Sequence, residues 1–280
     1  MSWLEKKIDH NRRKKSMKSG LLWFVAGIII ALLVIAVFIV FVPYSESKGV
    51  SVVRIEGTIV AGDYSGGGYA GSEYVGSRIR SAANDPLVEA IVLRVDSPGG
   101  SPAGAQEIIE DIEYAKTKKP VFVSMGDMAT SAAYHISSHA DRIYANRDTM
   151  TGGIGTIWTF YDVSRSMELE GVDVEVVKSG EQKDLGSQYR GLTEDEQVYV
   201  QKMVDDSFEL FITDVINQRG LNRSDIEEAQ LIRGEDAYEL GLIDDFGNLF
   251  TTIEGAKNYQ RPVDIQAEVL NESEQQESLL

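Results

Sequence analysis

The chain has 280 residues, of which 43% are hydrophobic and none is cysteine, so disulfide bonds, thiolate metal sites and a cysteine nucleophile are excluded. Charge is distributed unevenly: residues 1–44 hold seven Lys/Arg and two Asp/Glu, a net of +5, whereas the remainder holds 20 and 42, a net of −22. A body this acidic is a poor candidate for binding nucleic acid, so no nucleic-acid partner is expected.

The N-terminal region predicts a membrane anchor. A basic stretch, residues 1–20, precedes Leu21–Val42, which has 22 residues without charge or proline and is long enough to span a bilayer as a helix. A cleaved signal peptide is the alternative, but Val42-Pro43-Tyr44 is a poor cleavage site, which favours a retained anchor. The positive-inside rule places the N-terminus in the cytoplasm and the body outside. The linker, residues 43–49, reaches at most about 25 Å, so the body lies close to the membrane.

From residue 50 onward, apolar runs alternate with helical patterns, which predicts an α/β fold of parallel βαβ units. Strands are predicted at Val50–Ile55, Thr58–Val60, Val88–Val95, Val121–Met125, Arg142–Ala145, Ile154–Phe160 and Val172–Val177. Helices are predicted at Pro102–Lys116, from Thr130-Ser131 onward, and at Val163–Leu169, Thr193–Arg219, Glu235–Leu240 and Leu249–Lys257. The glycine-rich Ser65–Gly71 predicts a mobile loop, and the acidic residues 263–280 predict a disordered tail.

The first candidate for chemistry is Ser131. The strand Val121–Met125 is interrupted by Gly126-Asp127, and Thr130-Ser131 then stands where the next helix begins. A helix N-terminus carries partial positive charge and unpaired N–H groups, so an oxyanion forming beside Ser131 can use both. The alternative is that Thr130 or Ser131 serves only as the helix N-cap.

Three further segments have both functional and structural interpretations. Asp96–Pro102 contains a Gly-Gly pair that lets backbone N–H groups approach a ligand, but it is also an ordinary strand-to-helix turn. Thr149–Gly155 is glycine-rich without the spacing of a dinucleotide fingerprint, which favours a tight structural connection near the site. Lys178–Asp184 follows a predicted strand at the end where α/β sheets place their sites, although its Lys183 has the alternative of being a solvated lysine.

The histidines argue against a Ser-His-Asp triad. His10 lies on the other side of the predicted membrane, and His135 and His139 lie on the serine's own helix. The side chain of His135 should lean back along that helix and not across an open cleft. If Ser131 is a nucleophile, a lysine is then the remaining base, and such a lysine works only when desolvation lowers its pKa. No histidine cluster or paired carboxylate motif is evident, so neither a metal nor another cofactor is predicted.

The order and spacing of five motifs resemble the signal peptide peptidase A family, which comprises membrane-bound serine–lysine peptidases of the ClpP/crotonase fold. The motifs are Asp96–Gly100, Ser124–Ser131, Ala140–Ala145, Thr151–Gly155 and Lys178–Asp184, and the resemblance covers about residues 50–262. It implies a peptidase domain of repeated β-β-α units after one transmembrane helix.

The resemblance also implies the roles of individual residues. Ser131 would be the nucleophile, Lys183 the general base, and the backbone N–H groups of Gly100 and Ala132 the oxyanion donors. Family substrates are apolar remnants of signal peptides. Family members form rings or domes in which neighbouring copies supply the serine and the lysine, and for a chain with one copy of the fold the simplest assembly is an octamer.

The sequence departs from the family pattern in two places. Ala132-Ala133 replaces the usual glycines after the serine, and Gly153 stands where members often have a serine that holds the lysine. Thr151 or another hydroxyl would have to take over that contact. Three alternatives remain open: a related Ser–Lys protease acting on a membrane protein, a crotonase-like acyl-CoA enzyme, and an inactive scaffold. The predicted location outside the membrane disfavours the acyl-CoA enzyme, because coenzyme A is intracellular.

Overall fold

The computed structural model describes residues 48–259 together with residues 27, 28, 32 and 33. Within this part of the chain, no helix combines the length and the apolar character needed to cross a membrane. The predicted span Leu21–Val42, apart from those four positions, and the predicted tail 263–280 lie outside the described residues. Both therefore stay predictions.

The folded unit begins at Lys48 and contains ten described strands. They are β1 Gly49–Glu56, β2 Thr58–Val60, β3 Ser65–Gly66, β4 Tyr69–Gly71, β5 Val88–Ser97, β6 Val121–Thr130, β7 Arg142–Ala145, β8 Met150–Gly152, β9 Leu231–Arg233 and β10 Asp245–Phe246. The described α-helices of this unit are α1 Ser72–Asn84, α2 Pro102–Lys116, α3 Ala132–Ser138, α4 Ser164–Leu169, α5 Glu194–Arg219, α6 Gly234–Glu239 and α7 Leu249–Lys257.

The centre of the unit is a parallel sheet in the order β1-β5-β6-β7-β10, which confirms the predicted α/β class with a mostly parallel sheet. Its central strands are buried on both faces, as is usual for parallel sheets. Ile91, Leu93 and Val95 of β5 join the larger core with α1, α2 and α3, whereas Ala90 and Val92 join the smaller core with α7. Helices therefore cover both faces of the sheet.

The helices differ in how clearly the sequence specifies them. Helix α2 has the predicted bounds, because the Ser101 side chain accepts a hydrogen bond from the Gly104 N–H and Pro102 occupies the first turn. Helix α1 was not predicted, and the preceding glycines predicted only a loop. Its N-cap residue is Gly71, which has no side chain to cap the helix. Burial of residues such as Val75 and Ile79 against α2 stabilises it.

Strand β6 is longer than predicted. Gly126-Asp127 does not end it, because Val95 pairs with Met125 and Ser97 pairs with Ala129, so the intervening residues of β6 bulge opposite Asp96. The Asp96 carboxylate accepts a hydrogen bond from the Met128 N–H, at 3.2 Å, and thereby holds the bulge. Beyond it, β6 pairs with β8 instead of β7 and leads to residue 131.

Residues 155–192, which we call the lysine segment, contain neither of the strands predicted at Ile154–Phe160 and Val172–Val177. Both stretches have strand-like composition but no neighbouring strand to pair with among the described residues, and a strand requires one. No residue of the segment is buried, and its short helix α4 has no buried side chain. Large apolar side chains are exposed there, including Ile157 at 87% and Val177 at 93%.

Candidate active site

Ser131 occupies a strained turn between β6 and α3. Its backbone angles are φ 55° and ψ −128°, and at a non-glycine residue such a conformation costs about 1–3 kcal/mol. The turn is held because the Ser131 N–H donates to the Gly152 carbonyl, while the Ser131 carbonyl accepts from the His135 N–H, each at 2.9 Å. The side chain makes no capping hydrogen bond to the helix. Ser131 therefore has the N-cap position without the N-cap function, which is typical of a nucleophile on a sharp strand-to-helix turn.

The Gly99-Gly100 loop lies directly against this serine. Both glycines have positive φ, at 99° and 148°, and a Cβ on Gly99 would lie 2.8 Å from the Ser131 Cβ. Strand β2 fixes the loop, because the Ile59 N–H donates to the Gly99 carbonyl and the Ile59 carbonyl accepts from the Ser101 N–H. Glycine is thus required here for close approach as well as for conformation.

The structure brings the predicted oxyanion donors to the same place as Ser131. Gly100 and Ala132 line one cavity of about 110 Å³ with the serine. Within the described part of the chain, neither backbone N–H donates to another protein group. Ala132 is also the first residue of α3, where the helix presents partial positive charge. The cavity therefore offers two N–H donors to an oxygen bound beside the serine.

The cavity is also lined by apolar side chains, those of Ile157, Leu210 and Phe211. The hydroxyls of Thr156 and Ser207 lie there as well, 3.3 Å from each other. Sequence reasoning missed the contribution of α5, from which Ser207, Leu210 and Phe211 come, because no local motif marks these positions. The cavity can accept an apolar side chain next to the serine.

His135 lines this cavity too, yet its Nε2 lies 2.7 Å from Asp214 Oδ2 on α5 and not against the serine. Among the described residues, the Ser131 hydroxyl has no hydrogen bond to His135 or to any other protein group. Burial lowers the pKa of His135, and this outweighs the opposing hydrogen bond to Asp214. The geometry gives no support to a histidine base for Ser131.

Lys183 is separate from Ser131 within one chain. It lies in a short 3₁₀ helix, Glu181–Asp184, where its side chain is exposed, and it does not line the serine's cavity. The structure therefore brings together Ser131, Gly100 and Ala132 but does not add Lys183 to them. Its assignment as the base stays a prediction.

The turn that carries Lys183 is nevertheless fixed by charge. Arg190 donates two hydrogen bonds to Asp184 and two to Glu196 on the first turn of α5. These hydrogen bonds lower the pKa of Asp184 well below its usual range and that of Glu196 to about 2. Lys178 adds a bond to Asp184 at 3.0 Å. The lysine segment is thus attached to α5 through ion pairs and hydrogen bonds.

Thr151 was one predicted replacement for the serine that holds the lysine in family members, and this prediction is wrong. Its hydroxyl is fully buried and donates to the Ala129 carbonyl at 2.8 Å, so it is committed to the sheet. Gly153, where the family often has that serine, has φ 62°, and a Cβ there would lie 3.4 Å from the Ser131 nitrogen. With Thr151 excluded, the hydroxyls beside the cavity that are available to hold the lysine are those of Thr156 and Ser207.

Comparison with known proteins gives concordant results. The profile of peptidase family S49 matches residues 113–263. Protease 4 of Haemophilus influenzae is 34% identical over 219 residues, covering 76% of this chain and 35% of that protein. A putative signal peptide peptidase SppA of Enterococcus faecium is 29% identical over 194 residues, covering 67% of this chain and 56% of that protein.

Among solved structures, the membrane-bound stomatin-specific protease 1510-N superposes with a TM-score of 0.51 at 17% identity, covering 76% of this chain and 86% of that chain. At this identity the similarity shows a shared fold. The chain spans 35% and 56% of the lengths of the two curated relatives described above.

Proposed function

Because this chain belongs to peptidase family S49, we propose that it is a membrane-anchored serine endopeptidase that degrades cleaved signal peptides with a Ser131–Lys183 dyad. The observation that carries the proposal is the conformation of Ser131, which has a φ of 55°. Ser131 lies in a cavity with two N–H groups that have no acceptor among the described residues. A serine that served only as a helix cap would have no need of this strained backbone.

The reaction proceeds through an acyl-enzyme. The neutral amine of Lys183 takes the proton of the Ser131 hydroxyl as Oγ attacks the carbonyl carbon of the scissile peptide. The carbonyl oxygen becomes an oxyanion and accepts hydrogen bonds from the Gly100 and Ala132 N–H groups. Lys183 then gives its proton to the leaving amine. A water molecule, deprotonated by Lys183, attacks the ester, and the second product leaves as a carboxylic acid while the proton returns to Ser131.

The lysine comes from a neighbouring copy in this proposal. Lys183 does not line the cavity of its own chain, and the lysine segment exposes apolar side chains such as Ile157 and Val177. Pairing of this segment with a second copy would cover those side chains and bring a lysine to each cavity. The assembly is a closed ring with heterologous interfaces, most simply an octamer.

The expected substrates are apolar peptides at the membrane. The cavity presents Ile157, Leu210 and Phe211 beside the serine, which favours an apolar side chain next to the scissile bond. One relative is named a putative signal peptide peptidase, which supports signal-peptide remnants as the substrate class. Digestion of a signal peptide and of intact membrane proteins by the same preparation separates this proposal from a protease for membrane proteins.

The nucleophile is tested by labelling the purified full chain with a fluorophosphonate probe. Wild type should be labelled and Ser131→Ala should not, because Ser131 is the only serine with positive φ among the described residues. Ser77→Ala is the control, since Ser77 is exposed on helix α1 and does not line the cavity, and it should label like wild type. Equal labelling of wild type and Ser131→Ala, or no labelling of wild type, contradicts the proposal.

The anchor is tested separately in intact cells whose wall has been removed. Added protease should digest the body and leave a short fragment that contains residues 21–42. Protection of residues 50–280 would show that the body is not outside the membrane.

A further inference from the structure

A second cluster of ionisable side chains lies between α3 and α5, one helical turn from Ser131. Asp214 Oδ2 lies 2.7 Å from His135 Nε2 and 2.8 Å from His139 Nε2. The two histidines are four residues apart and so lie on one face of α3 and its C-cap. The catalytic scheme uses none of these three side chains.

Both ring nitrogens of His139 face a carboxylate. Its Nε2 faces Asp214, and its Nδ1 faces Glu113 Oε1 at 2.9 Å. With the Nε2 lone pair on a cation, the ring carries its single N–H on Nδ1, where it donates to Glu113. This carboxylate–histidine pair is the usual outer support of a histidine that binds a metal.

We propose that His135 Nε2, His139 Nε2 and Asp214 Oδ2 bind one divalent transition-metal ion of the zinc class, joining α3 to α5. The three ligand atoms already lie within 4.8 Å of one another. Tetrahedral zinc with bonds of about 2.0–2.1 Å holds its ligands roughly 3.3 Å apart, so the two histidine–aspartate distances need to widen by only about half an ångström. Water takes the fourth position.

The orientation of one proposed ligand is fixed before an ion binds. The His135 ring stacks on Phe211, with ring centres 4.5 Å apart, and both residues lie in the packed contact between α3 and α5.

The ligand set selects a transition metal over magnesium or calcium. Two imidazole nitrogens and one carboxylate oxygen suit zinc, cobalt, nickel or copper, whereas magnesium and calcium require mostly oxygen ligands. The Asp214 side chain is 35% exposed while the histidine side chains are at most 10% exposed, which gives the ion a route from solvent to an otherwise buried site.

The experiment uses the untagged full chain, freed of metal by a chelator and dialysed. Cobalt(II) should bind with one ion per chain and a visible absorption typical of four-coordination, and zinc(II) should displace it. Zinc at about a hundredfold above its Kd should raise Tm by roughly 5–10 °C. Absence of the cobalt absorption from wild type overturns the proposal, whatever the peptidase activity, so failure here is distinct from failure of the proposed function.

Variants locate the site. Asp214→Asn and His139→Gln preserve side-chain size and should weaken zinc binding by at least about 100-fold. Asp206→Asn, an exposed position on α5 outside the cluster, is the matched control and should bind like wild type. Zinc binding of equal strength in wild type and Asp214→Asn overturns the proposal.

If the ligand variants do not fold, Glu113→Gln tests whether His139 is a metal ligand. It keeps all three ligands and replaces only the acceptor of the His139 Nδ1–H, so zinc should bind about 10–100-fold more weakly. Unchanged affinity in this variant would contradict the assignment of His139 as a ligand.

Discussion

The surroundings of Ser131 and the lysine segment are opposites in packing. The serine's helix α3 is buried at all seven of its residues, and hydrogen bonds with β8 and within α3 hold its turn. Residues 155–192 contain no buried residue, although they include Ile157, Leu169 and Val177, which are all more than 80% exposed. The first region is packed by its own chain, whereas the second has apolar surface that the described residues do not cover.

The difference indicates which part of the proposed catalytic site a lone chain assembles. Long-range packing around β6 brings together Ser131 and the N–H groups of Gly100 and Ala132, so their arrangement requires no partner. The lysine segment is attached near its C-terminal end by the ion pair of Arg190 with Glu196, and Lys183 is exposed. We therefore expect the position of this lysine to depend on what packs against the segment. Because Ser131 and Lys183 lie apart within one chain, the role of each residue can be tested alone.

The largest effect is expected from the two proposed catalytic side chains. Ser131→Ala and Lys183→Ala should each lower kcat by about 10⁴-fold or more, and the double variant should be no worse, because the residues act as one unit. Peptide hydrolysis by the purified full chain measures this, with Lys202→Ala as an exposed-lysine control that should keep full activity. Substantial turnover by Lys183→Ala, with loss in His135→Ala instead, would reverse the assignment of the base.

Mixing the two inactive variants tests whether the site is shared. Co-expressed Ser131→Ala and Lys183→Ala subunits place an intact serine beside an intact lysine at one interface in four. A random equal mixture should then recover roughly a quarter of wild-type activity if sites act independently. Light scattering must show an oligomer in the same sample. No recovery from a mixed oligomer, or full activity of a monomer, contradicts the shared site.

A smaller effect separates backbone conformation from close packing on the serine side. Gly99→Ala should destabilise the fold by at least about 2 kcal/mol more than Gly66→Ala, because both glycines have φ near 90–100° but only Gly99 lies against Ser131. A Cβ on Gly66 meets no atom within 4 Å. Chemical denaturation measures both variants. Equal destabilisation would mean that the contact with Ser131 contributes nothing.

The smallest expected effect is a pH dependence at the end of the lysine segment. Arg190 lowers the pKa of Glu196 from 4.5 to about 2, and also lowers that of Asp184. Carboxylates with lowered pKa stabilise the fold above their ordinary pKa, and this contribution is lost as pH falls toward about 2. Tm should therefore fall less between pH 6 and 3 in Arg190→Gln than in wild type. Arg165→Gln, at an exposed arginine of the same segment, should keep the wild-type slope.

Elements decided by local signals were predictable from the sequence. Helices α2 and α7 and strand β7 have the predicted bounds, and α5, predicted from Thr193, begins with a capping box of Thr193 and Glu196. Helix α1 was missed because no side chain caps it and its stability comes from packing on α2. The two strands predicted in the lysine segment were wrong because strand-like composition cannot supply a neighbouring strand.

The candidate site was predictable in part. Motif order indicated Ser131, Gly100 and Ala132, and the structure brings these three together. The positive φ of Ser131 could not be predicted, since it results from the contact with Gly152 and from the bulge at Asp96. The histidine cluster was also missed. Its local signal was a pair of histidines four residues apart. The third member, Asp214, lies 79 residues from His135 along the chain, so only the folded structure shows that they meet.

The contacts around Ser131 also determine when, during synthesis, the site can exist. The hydroxyl of Tyr134 donates to the Leu242 carbonyl, 108 residues further along the chain, and the Gly153 N–H donates to the Gln230 carbonyl. Chains emerge N-terminus first, so the surroundings of Ser131 lack these two hydrogen bonds while residues 230 and 242 are still within the ribosome. Contacts of such long range also form late in folding. We therefore expect the proposed nucleophile to reach its final surroundings only when nearly all of residues 48–259 have been made.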